Sequence, residues 1–136
     1  MSDIVLRHAG SEDLPALNRV VQAAFMTWDL PERVKRLSLP SYLYDEMDLQ
    51  QLQLTLAERN GRVVGVAAWE PAAPRDCPGD TRGLLLHGLY VHPEEGGRGI
   101  GRELLAAAQA ATAAAGMDGV LVKAQTDAVG FFERLG

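Results

Sequence analysis

Cysteine is nearly missing from this chain. Its 136 residues include one, Cys77, which excludes an internal disulfide and a cysteine-based zinc cluster. Cys77 falls in a Pro- and Gly-rich stretch with no neighbouring base, so it reads as an inert loop thiol rather than a nucleophile. No apolar run approaches the ~20 residues that a membrane span requires. The first ten residues, MSDIVLRHAG, lack the basic, apolar and small-residue sections of a secretory signal. A cytoplasmic protein with no membrane partner is the expectation. Basic residues are also short: 13 Lys and Arg stand against 18 Asp and Glu, for a net charge of −5. That leaves little for a nucleic-acid face and leans weakly toward a cationic substrate.

What remains is ordinary globular material, 47% hydrophobic and 23% charged, and the length suits one domain over residues 1–136. A short strand is expected at Ile4–Arg7. Ser11 or Asp13 can cap a helix whose Leu14, Leu17, Val20, Val21, Ala24, Phe25 and Trp28 recur at helical spacing. Pro31 ends it, and a short amphipathic piece follows over residues 32–37. Residues 38–48 read as irregular or as a short helix. From Gln51 the period becomes two, with Leu52, Leu54 and Leu56 alternating with Gln53, Thr55 and Ala57, the mark of a half-buried strand. Asn60-Gly61 signals a tight hairpin, with a return strand at Val63–Trp69. Residues 71–83 form a loop. Strands are expected at Leu84–Val91 and Gly119–Ala124, separated by a helix that ends at Gly116, and a last helix follows Asp127. The order β-α-(α)-β-β-β-α-β-α gives an α/β (α+β) fold, with a mixed central sheet flanked by helices.

The stretch Leu89–Leu105, LYVHPEEGGRGIGRELL, carries the chemistry. A strand stops at His92-Pro93, glycines follow at 96, 97, 99 and 101, and a helix starts. A glycine turn entering a helix N-terminus gathers backbone N–H groups and a positive dipole end, which suits phosphate. The P-loop pattern fails, because Arg102 and Glu103 stand where Lys and Ser or Thr belong. The dinucleotide pattern fails for want of a third glycine and of an acid closing the next strand.

The turn Gly96-Gly97-Arg98-Gly99-Ile100-Gly101 resembles the acyl-CoA motif [Q/R]-x-x-G-x-[G/A] of the GCN5-related N-acetyltransferase (GNAT) family. The flanking LYVHPE and RELL, the terminal FFERLG and the strand order are similar to that family as well. The resemblance implies the GNAT acyl-CoA N-acyltransferase fold, with acetyl-CoA as cosubstrate and no metal. It implies that the N–H groups of Gly97, Arg98, Gly99, Ile100 and Gly101, with Arg102 at the helix start, hold the CoA pyrophosphate. Gly96 replaces the motif's Gln or Arg, so one side-chain contact is missing. The strand residues Leu89, Tyr90 and Val91 would part from Val120–Val122 to admit the pantetheine arm, and Phe131 would pack under the cofactor. The Leu89 N–H would face the acetyl oxygen as oxyanion donor.

The implied reaction is direct attack of an amine on the thioester. His87 lies on the strand before the motif, matching a histidine of arylalkylamine acetyltransferases in the same family, and is the candidate base. Strict alternation would place it on one face with Leu89 and Val91. The family's usual tyrosine acid is replaced by Phe132, which leaves Tyr42 or Tyr44, or unaided departure of the thiolate. His92 is expected at the strand end, and Glu94 and Glu95 as solvated loop acids. Trp28, Tyr42 and Tyr44, with Phe25, Asp45, Glu46 and Asp48 near them, are candidates for the site of a small-molecule or peptide amine. A non-catalytic acyl-CoA-binding domain of the same fold is the alternative. The family's C-terminal strand or strands are absent after Gly136. A truncated chain, a short family member, or a partner such as the second copy of a homodimer would each account for that.

Overall fold

The computed structural model describes residues 3–77 and 79–122. Five strands form one sheet in the order β1-β2-β3-β4-β5. They are β1 (Ile4–His8), β2 (Gln53–Arg59), β3 (Arg62–Pro71), β4 (Gly83–Val91) and β5 (Gly119–Val122). The first four pair antiparallel and β4 pairs parallel with β5. The β2–β3 hairpin turns at Asn60-Gly61, where both residues have positive φ, 56° and 77°, as a type I′ turn requires. The helices are α1 (Leu14–Phe25), α2 (Glu32–Ser38), α3 (Glu46–Gln51) and α4 (Ile100–Ala114). None of them is long and apolar enough to cross a membrane.

Helix α1 buries Leu17, Val20, Val21 and Phe25 completely, one stripe at spacings of three and four. It packs on one sheet face with Leu54, Leu56, Val66, Ala68 and Tyr90. Helix α4 covers the other face, where Ile100, Leu104, Leu105 and Ala108 meet Ala57, Val64, Ala67, Trp69, Leu84 and Leu86. This two-sided cover corrects the reading of residues 52–57 as a half-buried strand. Thr55 and Ala57 are as buried as Leu54 and Leu56, because the short residues of β2 lie beneath α4. The contact is close: a Cβ added at Gly65 would come within 2.8 Å of Ile100 Cγ2 and 3.0 Å of Leu104 Cδ1.

One other expectation changes, and one is refined. Trp28 lies beyond α1, in the turns that lead to α2. The segment 38–48 resolves into a 3-10 turn at Leu39–Ser41 and the start of α3, which Asp45 opens with a capping box. Asp45 Oδ1 accepts from Asp48 N–H at 3.0 Å, and Asp48 Oδ2 from Asp45 N–H at 2.9 Å. The expected last helix and the end of the fifth strand, residues 123–136, lie outside the described residues.

The entry to α1 is fixed by Asp13. Its carboxylate spends its acceptors on Arg7, in two bonds of 2.8 Å, and on Gly10 N–H at 2.8 Å. Hydrogen bonding from Arg7 outweighs the cost of burial and pushes Asp13 down to about 2, from an ordinary 3.8. A carboxylate held below its unfolded value stabilises the fold above about pH 3.8, and that stabilisation is lost as pH falls toward about 2. Asp13→Asn should therefore cost about 1–2 kcal/mol at neutral pH, toward the lower end of such bonds because Arg7 is partly exposed. Acid titration of stability, followed by circular dichroism, should be flatter in the variant than in wild type between pH 4 and pH 2, as roughly one fewer proton is taken up on unfolding.

Candidate functional site

Strand β4 organises the site, and its regular alternation is broken. Ala68 pairs with Gly88 but Trp69 with Leu86, so His87 is an extra residue, a β-bulge. The side-chain order shifts there. Leu84 and Leu86 face α4 before the bulge, and Leu89 and Val91 face it afterward, while Tyr90 lies on the α1 face. The bulge thus brings His87, Gly88 and Tyr90 together. This corrects the expected grouping of His87 with Leu89 and Val91.

On the α1 face these residues wall a cleft of about 440 Å³, shared with Trp28, Tyr42, Tyr44, Asp48, Gln51, Leu52 and Glu70. All three tyrosines of the chain converge here. Trp28 and Tyr42 meet edge to face at 5.4 Å, backed by Phe25 at 4.7 and 4.8 Å from each. Phe25 is fully buried and is core. Asp45 caps α3 and Glu46 accepts from Ser11 Oγ at 2.8 Å, so both are spent on structure, whereas Asp48 reaches the cleft wall.

Tyr44 is placed by a residue that sequence reasoning missed. The Asn18 amide donates to Tyr44 C=O at 2.8 Å and accepts from Tyr44 N–H at 2.9 Å. Only the polar side chain amid the apolar stripe of α1 hinted at it. Tyr44 and Tyr90 lie 6.5 Å apart, ring centre to ring centre. Burial, more than any neighbour, pushes the Tyr90 phenol up to about 12 and that of Tyr44 further. Both close over Gly88, where a Cβ would meet Tyr90 Cε2 at 2.7 Å and Tyr44 Oη at 2.9 Å. Glu70, also missed, approaches His87 with Oε1 3.3 Å from Nε2. Its place opposite Leu85 on β3 is visible only once strand register is known.

The sheet edge beyond His87 is the second feature. His92 N–H donates to Val64 C=O at 2.9 Å. Along a strand, alternate residues direct their N–H to opposite sides. The Tyr90 N–H therefore faces β3, while the N–H groups of Leu89 and Val91 point away from it. The register of β5 sets Val120–Val122 beside Leu84–Leu86, not beside Leu89–Val91 as the sequence suggested. The strands are paired at Leu84–Leu86, and the parting expected at Leu89–Val91 falls where the chain after Val122 lies outside the described residues. Among the described residues nothing pairs with the outer side of Leu89–Val91.

The third feature is the glycine turn. His92 opens a 3-10 turn over Pro93–Glu95, its Nδ1 accepting from Glu94 N–H at 3.2 Å. Gly97 and Gly99 have φ of 81° and 80°, and nothing lies within 4 Å of a Cβ built on either. Gly99 is the N-cap of α4 and has no side chain to cap it. The N–H groups of Ile100, Gly101 and Arg102 in the first turn thus lack helical acceptors, and the backbone before them is bare. Glu95 is not a solvated acid: it accepts from Arg59 Nε at 2.5 Å and Nη2 at 3.1 Å, with Arg98 Nε at 3.4 Å. Arg59 comes from the end of β2, so this pair ties the turn to the hairpin. Among the described residues, a helix N-terminus without a side-chain cap thus adjoins a strand edge with no partner. Phe131 and Phe132 lie outside the described residues.

Comparison with known proteins agrees with this layout. Residues 50–136 match the model of the acetyltransferase (GNAT) domain. No curated protein sequence matches. Among solved structures, PaiA N-acetyltransferase of Thermoplasma acidophilum in complex with coenzyme A is similar, with a TM-score of 0.79 at 18% identity over 100% of this chain and 89% of that one. A GNAT family acetyltransferase of Brucella melitensis in complex with acetyl-CoA superposes with a TM-score of 0.69 at 21% identity, over 98% of this chain and 81% of that one. AAC(6')-Iy, bound to the bisubstrate analogue CoA-S-monomethyl-acetylneamine, gives 0.69 at 19% identity, over 98% and 89%.

The turn makes a contrasting pair of variants. Gly99→Ala forces a left-handed residue at about 1 kcal/mol or more and should weaken coenzyme A binding roughly fivefold or more by calorimetry. Gly96 has φ −61°, and an added Cβ meets only Pro93 O, at an ordinary 3.5 Å. Gly96→Arg should fold as wild type and bind coenzyme A at least as tightly. At the other end of the site, Gly88→Ala should displace Tyr44 and Tyr90 and obstruct the cleft while leaving coenzyme A affinity within about twofold.

Proposed function

The chain belongs to the acetyltransferase (GNAT) family, and from that premise we propose that it is an N-acetyltransferase, carrying the acetyl group of acetyl-CoA to a primary amine of a small molecule or peptide. The observation that carries this reading is the meeting, at β4, of the acid- and aromatic-lined cleft with a strand edge that has no partner among the described residues and runs into the glycine turn. The pyrophosphate of the cosubstrate would sit on the N–H groups of Gly97–Gly101 with Arg98 and Arg102 adding charge, each contact at a helix end worth about 0.3–1 kcal/mol. The pantetheine arm would lie along Leu89–Val91. The outward N–H of Leu89 is the group positioned to receive the developing oxyanion.

In the cleft, His87 is the base. The amine attacks the thioester carbon directly, the C–S bond breaks, and the thiolate leaves. Burial raises both the Tyr44 and Tyr90 phenols, which disfavours them as its acid. The thiolate needs little help to leave, since a thiol titrates near about 8.5. Both phenols stay neutral and act as hydrogen-bond donors that shape the cleft. The described lining has two carboxylates, Asp48 and Glu70, four aromatic rings and no Lys or Arg. It therefore favours an amine with an apolar body over one that carries a carboxylate.

Acetyl-CoA should raise the melting temperature, and ATP and NAD should not; stabilisation by ATP instead would sink the family reading of the turn. Catalysis is tested separately by thiol release from acetyl-CoA across a panel of primary amines. No release above background with any of them would leave an acyl-CoA-binding domain as the function. His87→Ala should lower kcat by roughly 100-fold or more with acetyl-CoA affinity unchanged, whereas Tyr44→Phe and Tyr90→Phe should each cost less than about tenfold. An unaltered pH–rate profile in His87→Ala would remove it as the base.

A further inference from the structure

One polar atom in the cleft is buried without a partner. His87 Nε2 makes no hydrogen bond among the described residues. Glu70 Oε1 is 3.3 Å away but not in bonding geometry. Buried polar atoms are nearly always satisfied, so an exception at the wall of a cleft marks a place where a partner arrives. The two atoms belong to different strands. Glu70 stands on β3 opposite Leu85, and His87 is the bulge residue of β4. The bulge is what turns this stretch of β4 toward the cleft.

We infer that Glu70 and His87 Nε2 together seat the ammonium group of the acceptor, and that Glu70 is the residue that restricts the site to cationic amines. This rests on the acetyl-transfer reading above. Nε2 is shielded in this structure, so seating takes a turn of the His87 ring toward the cleft; one nitrogen can then bridge Nε2 and Glu70 Oε1, which already lie 3.3 Å apart. An ammonium carries three N–H donors, and both atoms can accept: the carboxylate always, and Nε2 when the neutral ring carries its proton on Nδ1. The other titratable groups that share the cleft with His87 are Asp48 from α3, Tyr42 and Tyr44 from the segment before it, and Tyr90 from β4. None of them is cationic.

The same pair balances the proton transfer. The amine arrives as R–NH3+. One N–H bond breaks and an Nε2–H bond forms, so the positive charge passes from the amine to the imidazole. Glu70 is within reach of both and keeps one negative charge throughout. The freed lone pair then forms the C–N bond as the C–S bond breaks. The remaining extra proton on nitrogen goes to the departing thiolate, which leaves an acetamide and a free thiol, and the imidazolium returns its proton to solvent. Glu70 touches the substrate but takes no proton itself, so it sets specificity.

The experiment compares wild type, Glu70→Gln and Glu70→Asp on the member of the amine panel that wild type turns over best. In Glu70→Gln the amine KM should rise roughly 10–100-fold, as loss of a charged hydrogen bond would give, while acetyl-CoA KM stays within about twofold. Glu70→Asp should recover part of the loss. An unchanged amine KM in a folded Glu70→Gln variant overturns the inference and leaves acetyl transfer standing. A parallel rise in both KM values with a lowered melting temperature also overturns it, since that is the signature of a merely structural residue. If wild type turns over no amine at all, the acetyl-transfer reading falls and the inference falls with it.

Discussion

One extra residue in β4 sets the rest of the site. A strand without a bulge at His87 would carry Gly88 and Tyr90 to the α4 face and return Leu89 and Val91 to the cleft. With the bulge, the cleft receives an imidazole, a glycine and a phenol in succession, while the aliphatic residues after it complete the core beneath α4. The antiparallel ladder to β3 resumes past the irregularity, so the N–H groups of Leu89 and Val91 point outward at the level of the cleft. Side-chain chemistry on one face and backbone chemistry along the edge are therefore placed by one insertion. β-Bulges commonly re-aim side chains beside active sites in this way.

A second irregularity works with the first. Ala57 pairs with Gly65 and Glu58 with Val63, so Val64 is an extra residue of β3. It is also the residue whose carbonyl takes His92 N–H at the end of β4. The strand that carries the cleft is thus anchored, at the point where it becomes the glycine turn, on a bulge of its neighbour. From there Arg59 and Glu95 join the turn to the hairpin, and Asn18 fixes Tyr44 from the opposite side. The groups of the candidate site are held by core strands and by paired polar side chains.

Much of this was legible in the sequence. The hairpin at Asn60-Gly61, the α1 stripe, the strand running into the glycine turn and the start of α4 follow from local rules of turn chemistry and periodicity. Trp28, Tyr42, Tyr44 and Asp48 were found as a cluster because aromatic and acidic residues near one loop stand out. The misses share a cause. A bulge has no composition of its own, so the face of Leu89 could not be counted from period two. Register is a property of two strands, and the sequence suggested that Val120–Val122 lie beside Leu89–Val91 when they lie beside Leu84–Leu86. Glu70 and Asn18 read as ordinary polar residues until the elements opposite them are in place. Thr55 and Ala57 looked exposed because small residues on a strand do not announce that a helix covers them.

Helix α4 begins at a glycine that offers it no cap. Many helices close their first turn with a side chain at the N-cap; in the proposed function a bound anion would meet these donors instead. Ligand binding and the integrity of the helix start would then be one equilibrium. At a ligand concentration about 100 times its dissociation constant, such linkage adds about 2.7 kcal/mol to the folded state. Because α4 covers the whole of one sheet face, cosubstrate supply would set how firmly that half of the core is held.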